Sequence, residues 1–165
     1  MNKSTHGIQL PLEDRIMDTL FQHILVPVDF TPKNQAALSA AEQLARQNAA
    51  RLTLLHVIEF IDFPDDDEIS EFYDKLRERS STELEKLTRT LNPDVEVAAE
   101  TIVSHRSRGI VTYAMENQID LIVMSSHPID LDRRAGWGTI SYQVSALCQC
   151  PIMLVKQETE PIVDD

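Results

Sequence analysis

The segment Ile24-Leu25-Val26-Pro27-Val28-Asp29 constrains the fold more than any other in this chain. It is apolar without alternation and ends in a carboxylate, the pattern of a short strand covered on both faces, as in a parallel sheet. Pro27 has no N–H to give to a ladder, so it belongs at the strand's end or at an irregularity beside a site. Four further runs punctuate the chain: Leu52 to Ile58, Val95 to Val103, Leu121 to Met124, and Pro151 to Val155.

Between these runs the apolar period changes to that of helices. Thr31-Pro32 reads as a cap followed by proline at the first helical position, with Ala37, Ala41 and Leu44 inward up to Asn48. A long helix carries Ile69, Phe72, Tyr73, Leu76, Leu84, Leu87 and Leu91 on one stripe and stops at Asn92-Pro93-Asp94. Arg106 to Asn117 and Thr139 to Leu147 supply two more, the second preceded by a loop from Ser125 to Gly138. Strands alternating with helices require crossovers that cover both faces of the sheet. The expected fold is therefore α/β, a three-layer sandwich around a five-stranded, mainly parallel open sheet.

With 165 residues the chain suits one domain with tails. The expected organisation is an N-terminal extension at 1–22, a globular domain at 23–156 and an acidic C-terminal tail at 157–165. Asp and Glu number 27 against 15 Lys and Arg, a formal net charge of -12, which repels nucleic acid and anionic membranes over most of the surface. The opening residues lack the apolar stretch of a signal peptide, and no apolar run approaches the roughly 18 residues of a membrane span, so a cytoplasmic location is expected. Cys148 and Cys150 are two residues apart, an unfavourable spacing for an unstrained disulfide and too few sulfurs for structural zinc. They read as small buried apolar residues.

Ligands of open α/β sheets bind beyond the carboxyl ends of the strands, where the winding reverses. Asp29, Val57 and Ile58, and the loop after Met124 all fall there. Asp29 either bonds a ribose or an adenine edge or orders the turn into the first helix. Gly138-Thr139 opens a helix whose backbone N–H groups attract anions, although a capping threonine explains the pair equally well.

Taken in order, Ile24 to Thr31, Leu54-Leu55-His56-Val57, Asp120 to His127 and Cys150 to Val155 resemble the universal stress protein family. The resemblance implies an adenine nucleotide alpha hydrolase-like, Rossmann-like fold. It also implies a cytoplasmic homodimer in stress survival, pairing through Ile152 to Val155, with one branch binding ATP. Pro27, Asp29, Val57 and Met124 match that branch's nucleoside contacts. Its loop, G-x-x-G-x9-G-[S/T], falls on Ser125, Pro128, Gly138 and Thr139, followed by Ile140, so two of the four positions fit. Ser125 adds a side chain where phosphate would approach, and Pro128 fixes φ and removes an N–H.

The cofactor implied is ATP or another adenine nucleotide, with Mg. The alternative is a nucleotide-free interaction and dimerisation module with a degenerate phosphate loop. His127, Arg133 and Arg134 either meet phosphate or are solvated loop groups, and Trp137 either covers a ligand or packs on the loop. The acidic run from Asp65 to Glu68 reads as a solvated loop, and His56 as a hydrogen-bonded core histidine. No nucleophile with its base, metal set or P-loop is legible. No catalytic residue is assigned, and any ATP hydrolysis is expected to be slow or incidental.

Overall fold

The structure, a computed structural model, describes residues 20–62, 67–126 and 139–156. Their elements run β1 (His23–Pro27), α1 (Asn34–Asn48), β2 (Arg51–Glu59), α2 (Asp67–Thr88), β3 (Val97–Ser104), α3 (Arg106–Glu116), β4 (Leu121–Ser126), α4 (Ile140–Leu147) and β5 (Ile152–Lys156). The strands form one sheet in the order β3-β2-β1-β4-β5, and all four pairings are parallel. The expected sandwich is present, with a wholly parallel sheet.

Two buried clusters lie on the two faces of the sheet. One gathers Ile24, Val26, Leu52, Leu54, Leu121 and Val123 beneath α1 and Leu84 of α2. The other gathers Leu25, Leu55, Val57, Ile122 and Met124 against Ile110 and Ala114 of α3 and Val144 of α4. Successive strand residues thus enter opposite cores, which is why these runs are apolar without a break. Alanines 37, 41 and 45 of α1 are buried and let that helix lie close to the sheet.

Element boundaries shift from expectation by one to three residues, and the start of α1 shifts for a chemical reason. Lys33, not Thr31, is its N-cap, without a side-chain cap bond. The Thr31 hydroxyl instead donates to Asp29 Oδ1 at 2.6 Å, and Asn34 N and Gln35 N close turns onto the carbonyls of Thr31 and Pro32. On α2, Tyr73 and Leu84 are buried, whereas Phe72 of the same expected stripe is half exposed. No helix among the described residues is long and apolar enough to cross a membrane.

Candidate functional site at the switch point

The winding reverses at β1, which has β2 on one side and β4 on the other. With β2, β1 pairs along its whole length, from His23↔Arg51 to Pro27↔Leu55. With β4 it pairs only at Ile24↔Leu121 and Leu25↔Ile122, although β4 continues to Ser126. Pro27 withholds the donor that would extend the ladder. The described β1–β4 pairing therefore ends at Leu25↔Ile122, with Pro27, Val28 and Asp29 on the β1 side of the switch point and Met124 and Ser125 on the β4 side, the place where open α/β sheets have their ligand crevice.

Asp29 is exposed at the mouth of this crevice. Its Oδ1 accepts from Thr31 N at 3.0 Å and from the Thr31 hydroxyl, while its backbone N–H donates to Asn34 Oδ1 at 2.9 Å. The carboxylate therefore orders the turn into α1, one of its two expected roles. Both described side-chain contacts use one oxygen, Oδ1.

Phe30 follows with φ of 61°, a left-handed conformation uncommon outside glycine. Its ring lies against His56, with centroids 4.3 Å apart. The Nδ1–H of His56 donates to the Val28 carbonyl at 2.9 Å, which leaves Nε2 as an acceptor. Burial holds the imidazole pKa below its ordinary value, helped by Arg106 and opposed by the bond to the Val28 carbonyl and by Asp29. His56 is thus a neutral, hydrogen-bonded and half-buried wall of the β1–β2 end.

Val57 and Met124 are nearly buried and belong to one cluster. Val57 is backed by Gly109 of α3, where an added Cβ would stand 2.8 Å from Ser104 Cβ and 3.2 Å from Val57 Cγ1. Glycine at this position lets α3 seat on the strand ends. Across the crevice the Ser125 hydroxyl donates to the Lys33 carbonyl at 2.6 Å. The serine in place of the family's glycine thereby ties the end of β4 to the start of α1.

Thr139 is the N-cap of α4, accepting from Tyr142 N at 3.3 Å, and Ile140 packs on the second core. The parallel β4-α4-β5 connection brings both to the end of the sheet that holds Asp29. Pro128 and Gly138, with His127, Arg133, Arg134 and Trp137, lie outside the described residues. The structure therefore brings together Pro27, Asp29, Val57, Met124 and Ser125, with Thr139 and Ile140 at the same end. Sequence reasoning missed Phe30, Lys33, Asn34 and Gly109.

A separate groove of about 500 Å³ lies between α2 and the middle of β3. Two arginines on its wall, Arg77 and Arg89, are engaged by Asp74 and Glu85 of their own helix. It lies at the opposite edge of the sheet from β5.

An open parallel sheet with polar groups gathered where its winding reverses defines a Rossmann-like α/β protein, a class that takes its ligands beyond the carboxyl ends of the strands. The chain belongs to the universal stress protein family, whose family model matches residues 20–156. Universal stress protein YxiE of Bacillus subtilis (strain 168) is 28% identical over 149 residues, covering 83% of this chain and 100% of that protein. Among solved structures, hypothetical protein MJ0577 superposes with a TM-score of 0.70 at 24% identity, covering 86% of this chain and 99% of that one. A universal stress protein in complex with cAMP gives 0.66 at 17% identity, covering 82% and 97%. The two structural likenesses carry the fold.

Proposed function

We propose that this protein holds an adenine nucleotide, ATP in the first instance, in the β1/β4 crevice, as a dimeric cytoplasmic stress-response protein. The observation that carries this reading is the early end of the β1–β4 ladder at Leu25↔Ile122, at the switch point of the sheet, where open α/β sheets take their ligands. Pro27, Asp29, Val57 and Met124 would take the nucleoside, with Asp29 Oδ2 accepting from a ribose hydroxyl or the adenine amino group. Val57 and Met124 supply apolar surface to the base. Ser125, Pro128, Gly138, Thr139 and Ile140 would take the phosphate end, with Mg beside the phosphates. The cAMP bound to a protein of the same fold supports an adenine ligand.

We read the role as holding or sensing: the described bonds of His56 Nδ1 to the Val28 carbonyl and of Asp29 Oδ1 to Thr31 hold the strand ends in shape, and in no described bond does either group meet a serine or cysteine nucleophile. A dimer through β5 is supported by the exposure of its adjacent apolar residues, Met153 at 37% and Leu154 at 43%, on the outermost strand.

One contact favours a second reading, a nucleotide-free interaction module: the Ser125–Lys33 hydrogen bond spans the end where phosphate would enter. Denaturing the freshly purified protein and analysing the released small molecules by mass spectrometry separates the two. An adenine nucleotide near one per chain supports the first reading. Its absence, with no uptake on incubation with ATP and Mg, supports the second.

A further inference from the structure

Cys148 and Cys150 lie away from the crevice, on the connection that leaves the far end of α4 and enters β5. Their sulfurs are 3.2 Å apart, about 1.2 Å beyond bonding distance. Both are half-buried against the second core and neither is disulfide-bonded. Cys148 is extended, with φ of -80° and ψ of 143°, and its side chain and that of Cys150 meet on one side of the connection. Cys148 N is anchored to the Val144 carbonyl at 2.8 Å and the Pro151 carbonyl to Ile122 N at 3.0 Å, so the pair is held at both ends.

We propose that Cys148 and Cys150 form a vicinal dithiol site that reacts with peroxide and closes to an intramolecular disulfide. Among the described residues no third His, Cys, Asp or Glu joins them in a group able to hold a metal ion, which favours oxidation over metal binding. Burial, then the hydrogen bond and charge of Cys148, pushes the Cys150 thiol up to about 12. Cys148 is assigned as the attacking sulfur and Cys150 as the resolving one, an order that the two single variants distinguish.

In the first step the Cys148 thiolate attacks one peroxide oxygen. The O–O bond breaks, and the departing hydroxide takes a proton from solvent, leaving a sulfenic acid. The Cys150 sulfur then attacks Cys148, forming the S–S bond and breaking S–O, and the departing hydroxide leaves as water with the Cys150 proton. Two thiols and one peroxide give one disulfide and two waters. A disulfide across a single intervening residue has an unfavourable spacing, so the bond is strained and easily reduced. It is a reversible modification of the joint between α4, which starts at Thr139, and the exposed strand β5.

The test treats the whole chain with hydrogen peroxide, blocks remaining thiols after denaturation and measures intact mass. The expected product has both thiols lost, a mass lower by about 2 Da, no covalent dimer, and full recovery in dithiothreitol. Cys150→Ser should stop at a sulfenic acid on Cys148 that dimedone traps, whereas Cys148→Ser should give no adduct. Survival of both thiols, oxygen addition at either cysteine of the unsubstituted chain, or a bond between chains would each overturn the proposal. So would zinc alone protecting both thiols from peroxide.

Discussion

The hydroxyl of Ser125 at the end of β4 donates a 2.6 Å hydrogen bond to the carbonyl of Lys33 at the start of α1, joining residues 92 apart in sequence. It lies where the family loop carries glycine. Ser125→Gly removes this tie and adds backbone freedom, and should lower stability by about 1–2 kcal/mol in urea unfolding. Because the phosphate end is then unobstructed, ATP affinity should rise relative to AMP. Unchanged relative affinity would place the phosphates elsewhere.

Gly109 tests how tightly α3 must sit on the site. In Gly109→Ala the new methyl meets Ser104 Cβ and Val57 Cγ1 at 2.8 and 3.2 Å, and a Cβ so near its own backbone cannot swing away. Overpacking of about 1–3 kcal/mol exceeds the gain of about 1 kcal/mol in helix propensity. The expected result is a net loss of stability with weaker nucleotide binding, since Val57 is displaced. A stabilised Gly109→Ala protein would show that α3 accommodates the methyl.

Two histidines give the fold a pH dependence. His23 donates from Nδ1 to the Asn117 carbonyl and accepts at Nε2 from the buried Thr53 hydroxyl at 2.8 Å. Its pKa is lowered by burial first and then by Arg51, against the Asn117 carbonyl, Asp120 and Glu96. His56 is lowered chiefly by burial. The unfolded chain, with ordinary values, binds more protons just below about pH 6.5, so stability is full above that pH and falls as pH drops through it. The loss levels off once the folded imidazoles are protonated. Urea midpoints measured from about pH 7.5 to about pH 5.5 should decline, and the double substitution His23→Gln, His56→Gln should flatten the slope.

The outer edge of β5 predicts association. Leu154→Lys places a charge on an exposed apolar edge without touching the buried clusters, so it should leave the thermal midpoint of the monomer fold intact. Light scattering should give a dimer for the unsubstituted chain and a monomer for the variant. A dimer in both would move the interface away from β5.

The layout of the fold was legible because the central strands β1, β2 and β4 are buried on both faces and the helices on one, so burial writes itself into local periodicity. Contacts between distant segments were not. Thr31 reads as a cap because hydroxyls commonly accept from helix N–H groups, yet here it donates to Asp29, a preference that only the folded turn decides. Nothing local foretells that Ser125 meets Lys33, that Gly109 backs Val57, or that Phe30 turns left-handed to lie on His56. The place of Asp29 at the end of the first strand was legible because it follows an apolar run. Its part in ordering the turn emerged only from the Thr31 bonds.

Calorimetric titration of ATP, ADP and AMP, with magnesium, into the protein and its Asp29→Asn and Asp29→Ala variants tests the central claim most directly. Asparagine keeps the Oδ1 acceptor that Thr31 uses, so the turn survives while the charged Oδ2 is lost. A charged hydrogen bond contributes about 1.5–3 kcal/mol, so saturable binding near one nucleotide per chain should weaken roughly tenfold or more in Asp29→Asn, and at least as much in Asp29→Ala. No heat and no thermal shift with any of the three nucleotides at high micromolar protein, or equal affinity in all three proteins, would contradict a nucleotide site at the β1/β4 crevice.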